Sequence, residues 1–216
     1  MPGHFPGLGE HEGGIDTAGA GVLPAAYNDR FTNISGAEEI GANCYLLKWG
    51  LRIVLDSGMH PKKEGKAAMP DFDSLEPNSV EAVFLSHSHL DHLGTLPVLQ
   101  EKQPAAEVFM TPAAAALSEV MLHNSVNVMS AKRLDLGIVE YPFFTHNDLD
   151  RLSDAWHAKS CNEVFRVGFR QNVLATFYDA GHILGSAGVM LEVRAHTGVY
   201  TGTCSLRTRA DSERIS

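Results

Sequence analysis

Apolar positions are sparse and aperiodic over residues 1–30, where glycine and proline interrupt every short hydrophobic run (PGHFPGLGEHEGGIDTAGAG). Too little apolar surface lies there to offset the entropy of ordering the backbone, so 1–30 is expected to be a flexible extension. The pattern changes at Asn43. Short apolar runs over 43–48 and 51–55 flank Trp49-Gly50 and predict a hairpin. Residues 81–86 are almost continuously apolar, as in a strand buried on both faces, and the polar, proline-containing stretch 61–78 between them reads as a loop.

Downstream, 94–100 predicts a short helix, 108–111 a strand, and 112–129 a longer helix opened by Thr111-Pro112. Residues 147–157 predict another helix, with Asn147 or Asp148 near its cap. Strand signals return over 173–178 and 189–193, and over 199–201 after a turn at Gly198. Strands interleaved with helices predict a layered α/β architecture around a buried sheet. No internal repeat is evident.

Composition narrows this picture only a little. With 216 residues, 44% hydrophobic and 20% charged, the chain is long enough for one main globular domain. No apolar run reaches the roughly 18 residues of a membrane span. The start Met1-Pro2-Gly3-His4 lacks the basic region and apolar core of a signal peptide, so a cytoplasmic protein is expected. Cys44, Cys161 and Cys204 are far apart and odd in number, which argues against a disulfide framework and against a cysteine-rich zinc motif. A formal net charge of -9 gives no global attraction to nucleic acid, so RNA binding would need a local basic groove or a partner domain.

The eleven histidines say more, because His87, His89 and His92 fall within six residues. The segment Ser86-His87-Ser88-His89-Leu90-Asp91-His92-Leu93-Gly94 directly follows the buried strand. Alternate residues of extended backbone point the same way, so His87 and His89 can converge on one ion while the following turn brings Asp91 and His92 to a neighbouring point. Imidazole with carboxylate suits zinc above iron or manganese. Two such cations can lower the pKa of a bound water, hold the resulting hydroxide and stabilise charge on a scissile phosphate or acyl group. His60, beside Pro61, is placed to line such a site, whereas His123, His146, His157 and His196 have no partner in sequence, and His4 and His11 lie in the extension.

His87-x-His89-x-Asp91-His92 resembles the signature of the metallo-beta-lactamase superfamily. Four segments narrow the resemblance: Gly36-Ala-Glu-Glu-Ile-Gly-Ala-Asn-Cys44, Ile53-Val-Leu-Asp56-Ser-Gly58-Met-His60-Pro61, Leu90-Asp-His-Leu-Gly-Thr-Leu-Pro97, and Ala180-Gly-His182-Ile-Leu-Gly-Ser186. Together they are similar to the beta-CASP subgroup, which includes the nuclease of messenger-RNA 3′-end processing and related prokaryotic ribonucleases. The similarity runs from Ile34 to Gly202 in the family's order. It implies an α/β fold, the metallo-beta-lactamase αββα sandwich, present only as its N-terminal portion, with an incomplete domain over 31–202 and an atypical tail over 203–216. It implies His87, His89 and His182 on a first zinc and Asp91 and His92 on a second. Asp56 would orient the ligand loop, so that Asp56 and Asp91 are the carboxylates of the catalytic machinery.

One position departs from the family. After Val199-Tyr200-Thr201-Gly202 an aspartate bridging both metals is expected, and this chain has Thr203, a neutral and weaker ligand. The second zinc is therefore the weaker expectation. Two explanations compete: a genuinely shortened protein that binds a single metal or serves as an interaction module, and a truncated chain in which one lost guanine in codons for Gly-Asp-Val reads out as Gly202-Thr203-Cys204. Three functional readings stay open. The first is a metal-dependent RNA phosphodiesterase using zinc-bound hydroxide; the second is a hydrolase of a small ester, thioester or lactam on the same fold. The third is an inactive fragment or structural subunit whose exposed sheet face and edge strand invite pairing, a homodimer included.

Overall fold

The computed structural model describes residues 30–35, 41–168, 173–193 and 196–203. The extension over 1–29 with His4 and His11, the Gly36–Ile40 part of the first family segment, and the tail over 204–216 with Cys204 lie outside the described residues.

The hairpin forms where the pattern placed it. β1 (Arg30–Asn33), β2 (Tyr45–Trp49) and β3 (Leu51–Leu55) pair antiparallel, and Gly50 supplies the positive φ of 69° that the β2–β3 turn needs. β4 (Ala82–Phe84) and β5 (Glu107–Met110) then add in parallel, and β6 (Trp156–Ala158) closes a six-stranded sheet in the order β1-β2-β3-β4-β5-β6. A second, antiparallel sheet has the order β10-β9-β8-β7, from β7 (Val164–Val167), β8 (Val173–Asp179), β9 (Ala187–Val193) and β10 (His196–Tyr200).

Helices α1 (Leu90–Leu93), α2 (Leu96–Lys102), α3 (Pro112–Leu136) and α4 (His146–Ser153) cover one face of the six-stranded sheet. Leu93, Leu96, Leu99, Leu122 and Met129 pack there on Leu46, Val54, Val83 and Val108. The other face carries Ile53, Leu55, Phe84 and Phe109 against Phe165, Val167, Phe177, Val189 and Leu191 of the second sheet. The alternation that puts Val83 on one core and Phe84 on the other is why 81–86 reads as apolar throughout. Phe84, Phe109, Phe165 and Phe177 stack between the sheets with centroids 5.2 to 6.4 Å apart. Each buried ring contributes about 1.5–3 kcal/mol, so this cluster docks the sheets two residues from Ser86. The described residues thus supply one helix layer and both sheets of the αββα expectation.

Several boundaries differ from the sequence expectation. The loop over 61–78 holds two single 3-10 turns, Gly65–Ala68 and Phe72–Ser74. The helix predicted over 112–129 continues to Leu136, because no residue interrupts it before Gly137, which caps it at φ 68°. The helix predicted over 147–157 starts at His146, where Thr145 and Asp148 form a capping box, and stops at Ser153. Trp156–Ala158 pairs with β5 instead, with Trp156 Nε1 donating to Gln100 Oε1 at 3.0 Å. Strands β1 and β7 were not expected. No described helix is long and apolar enough to cross a membrane.

Candidate metal centre

β3 and β4 run parallel, so their C-terminal ends open on the same side, the usual place for a site in such sheets. Asp56 leaves β3 with φ 61°, a left-handed backbone conformation uncommon for a residue with a side chain. Its amide donates to Phe84 O at 2.9 Å, fixing it beside the start of the histidine loop. The chain after β4 stays extended to His89 (φ -71°, ψ 144°) before α1 begins. His87 and His89 therefore face one way, while Ser88 between them turns to the helix layer and bonds Ala114 O and Ser118 Oγ.

The third imidazole arrives from the second sheet. His182 lies in the β8–β9 loop, held by Ser186 Oγ, which accepts from the amides of His182 and Ile183 at 3.0 and 3.2 Å. Ala187 N donates to Ser86 O at 2.8 Å and ties that loop to the His87 loop. His87 Nε2 is 3.2 Å from His89 Nδ1, and His182 Nε2 is 3.3 Å from the same atom. Two nitrogens on one tetrahedral zinc, each about 2.0–2.1 Å from it, stand about 3.3 Å apart. Among the described residues these three form the one group of three or more ligand-type side chains whose donor atoms lie within 4.8 Å of one another. The donor set fits a zinc ion.

Behind the three imidazoles sits Asp56, fully buried, with four hydrogen bonds to its carboxylate. Oδ1 accepts from Ser86 N at 2.7 Å, and Oδ2 accepts from Ser86 Oγ at 2.8 Å, His92 Nδ1 at 2.7 Å and Tyr200 Oη at 2.6 Å. Ser86 Oγ also stands 3.0 Å from His87 Nδ1. With Ser86 Oγ donating to Asp56, it accepts from His87 Nδ1, and the network sets a tautomer that leaves Nε2 of His87 free to ligate. The same logic leaves Nε2 free on His92.

The electrostatics agree. Burial, and then the positive charge available to His92, push the His87 pKa down to about 3, so its imidazole is neutral near pH 7. Burial alone would also lower His92, but the charge and hydrogen bond of Asp56, with Asp91 beyond, raise it above 6.5. Burial opposes ionisation of Asp56, yet His92, Ser86 and Tyr200 together hold its carboxyl below 3.8.

Asp91 and His92 form a second, smaller group. His92 Nε2 and Asp91 Oδ2 are 3.7 Å apart, with Asn43 Nδ2 at 3.1 Å from the nitrogen and 3.5 Å from the oxygen. The His87 and His92 rings are 4.1 Å apart, so the two groups adjoin. Gly58 permits this closeness: a Cβ there would overlap Asp91 O. Gly202 packs on Ser86, leaving no room for a Cβ at 2.7 Å from Ser86 Cβ, and Thr203 follows it at the surface.

His60 is buried in the loop after β3, its Nδ1 accepting from Lys62 N at 3.1 Å and its ring against Gly41; it does not join the histidine group. His157 stacks on Phe109. Sequence reasoning missed Asn43, Ser86, Ser186 and Tyr200. Only Ser86, next to the motif, carried a local signal. An open groove of about 800 Å³ runs from His182 past the start of α3, and its described lining, with Thr111, Pro112, Cys161, Asp179, Ile183 and Leu184, contains neither Lys nor Arg.

Residues 37–125 match the Metallo-beta-lactamase superfamily. Endoribonuclease YSH1 of Eremothecium gossypii is 31% identical over 179 residues, covering 82% of this chain and 23% of that protein. Cleavage and polyadenylation specificity factor subunit 3-I of Arabidopsis thaliana is 31% identical over 181 residues, covering 81% and 24%. Subunit 3 of that factor from Dictyostelium discoideum is 33% identical over 183 residues, covering 81% and 22%. The chain thus spans about a quarter or less of the curated relatives it matches. Among solved structures, the metallo-beta-lactamase fold protein YhfI from Bacillus subtilis superposes with a TM-score of 0.50 at 19% identity, over 82% of this chain and 63% of that one, a likeness of fold alone. Sequence match, layered fold and histidine group agree: the chain has the metallo-beta-lactamase fold, its residues 37–125 match that superfamily, and it is similar to endoribonuclease YSH1 and its relatives.

Proposed function

We propose that residues 31–202 form a zinc-dependent hydrolase domain whose substrate is an RNA phosphodiester and which works in the cytoplasm. The observation that carries this reading is the convergence of His87, His89 and His182, from two sheets, at the nitrogen spacing of one tetrahedral ion. RNA as substrate is supported by relatives whose names are endoribonucleases, at 29–31% identity. The described lining of the groove by His182 holds neither Lys nor Arg, so in this reading RNA phosphate there is met by the metal site or by a partner.

In this reading His87, His89 and His182 hold the first zinc, and Asp91 with His92 hold a second, weaker one beside Thr203. Zinc bound there would supply electrophilic activation of water near neutral pH and neutralise charge on the phosphate. The chain's own residues do the positioning. Asp56, too buried to touch substrate, fixes the His92 ring directly and the His87 ring through Ser86. Ser186 and the Ala187–Ser86 bond hold His182 against them. Asp91, partly exposed, is the carboxylate that can face both metal and substrate.

The test pairs metal analysis with two substrates, a labelled RNA and a chromogenic ester. Zinc-dependent RNA cleavage that is lost in His89→Ala supports the assignment. Ester cleavage without RNA cleavage moves the substrate to a small ester. Zinc bound with neither activity leaves a metal-holding structural domain.

A further inference from the structure

We propose that the outer face of α3 pairs with the same face of a second copy of this chain, as an antiparallel helix pair about a two-fold axis. Helix α3 is apolar on two sides. Its inner side, with Ala114, Leu122, Val126 and Met129, closes the core under the helix layer. Its outer side carries Val120 and Leu134, 66% and 84% exposed, in line with the half-buried Leu117 and the exposed Ala131. From Pro112 to Ala131, Glu119 is the only Asp, Glu, Lys or Arg, although 20% of the chain is charged. A helix face turned to water normally carries charge, and a helix apolar on both sides is normally covered on both.

The spacing selects what covers it. Leu117, Val120, Asn124, Asn127, Ala131 and Leu134 follow one another at alternating steps of three and four residues, the seam of a two-helix pair. A two-fold axis crossing α3 between Ser125 and Val126 sets Asn124 opposite the partner's Asn127, Val120 opposite the partner's Ala131, and Leu117 opposite the partner's Leu134. Every layer then matches in kind: amide on amide at the centre, large on small beside it, leucine on leucine outside. Asn127 Oδ1 accepts from His146 Nε2 at 3.2 Å, which leaves its amide hydrogens for the partner's Asn124. Sliding one copy by a heptad, the next register that keeps the seam, sets both asparagines against apolar residues, so the central amides fix the alignment. Helix dipoles favour the antiparallel sense. This self-match selects a second copy over an unrelated partner. The seam spans about 26 Å of helix, a small interface, so the dimer is weak and forms as concentration rises.

The experiment is sedimentation equilibrium on the full chain from about 1 μM to 1 mM, the range of dissociation constants of weak complexes. The mass is expected to rise from one chain towards two. Val120→Glu and Leu134→Glu should each hold the chain monomeric throughout, whereas Val164→Glu, at an exposed apolar residue of β7, leaves the dimer intact. Unchanged far-ultraviolet circular dichroism shows that each variant has folded. Oxidative cross-linking reads the alignment: Val120→Cys and Ala131→Cys combined should give a covalent dimer, beyond any formed by the parent, that neither gives alone. A chain that stays monomeric at the top of the range leaves the face to a different partner and overturns the proposal. A dimer that survives both α3 charges, or is broken by Val164→Glu, overturns it too, as does cross-linking through either single cysteine.

Discussion

Replacing Asp56 by Asn tests the idea that one buried carboxylate organises the metal centre. Asn has the same shape and tolerates φ 61° as readily as Asp, so backbone strain is unchanged and only charge and hydrogen bonding differ. The amide oxygen does best at the Oδ2 position, where three donors converge, which turns the NH₂ towards Ser86 N–H at the Oδ1 position, donor against donor. One unsatisfied buried backbone group costs about 1–3 kcal/mol, and breaking a buried ion pair from one side costs about 3–5 kcal/mol in all. For a chain of this size the upper figure lowers the melting temperature of the metal-free protein by roughly 6–20 °C. Zinc affinity should fall about 10- to 100-fold, since His87 and His92 lose the group that sets their orientation. Calorimetry on chelated protein reads the first effect, and competition with a chromophoric chelator reads the second. A variant that melts within about 2 °C of the parent and binds zinc within threefold, as against the tenfold minimum expected, would refute the reasoning.

Tyr200→Phe removes the 2.6 Å hydrogen bond to Asp56 and should cost about 1.5–3 kcal/mol, with a smaller loss of zinc affinity; an unchanged urea midpoint counts against a positioning role. In the chelated chain, His87 stays neutral down to about 3 while its unfolded counterpart takes up a proton below 6.5, so stability falls as pH drops from 6.5 towards 3, and His87→Gln should flatten that limb in denaturant titrations. The contribution of His92 has the opposite sign: with its pKa raised, it is full below 6.5 and lost as pH rises through the folded value, an alkaline limb that His92→Gln should remove. Thr203→Asp restores a carboxylate next to Gly202 and should raise bound zinc from about one ion per chain to about two, the number of a dinuclear site; an unchanged count by plasma emission places the second ion elsewhere. Gly58→Ala puts a Cβ into Asp91 O and should cost at least the roughly 1–3 kcal/mol of overpacking, read as a lower melting temperature.

What the sequence made legible is local. The β2–β3 hairpin and the buried β4 follow from turn chemistry and from runs that two cores require to be apolar on both faces. The turn in the ligand loop was readable for the same reason: alternation up to His89, then helix. His182 could be paired with this loop only by resemblance, since 93 residues separate it from His89. β6 and β7 were missed because three or four residues with His157 or Arg166 among them carry too little pattern, and their strand character comes from neighbours far along the chain. Ser86 and Tyr200 share that cause. A hydroxyl or a histidine gains its role from what tertiary packing sets opposite it, and no spacing rule encodes that.

The ligands of the histidine group belong to different sheets, and this makes any bound ion a staple across the sandwich. His89 follows β4 and His182 precedes β9, so an ion shared by them closes a chain loop of 93 residues. A covalent cross-link closing a loop of about that length removes roughly 4.7 kcal/mol of chain entropy from the unfolded state. A coordinate link that opens on unfolding acts instead by mass action, stabilising the folded chain in step with the logarithm of free metal over its dissociation constant. The zinc-loaded chain should therefore part its two sheets far more slowly than the chelated one, and metal supply would set how long each folded molecule lasts.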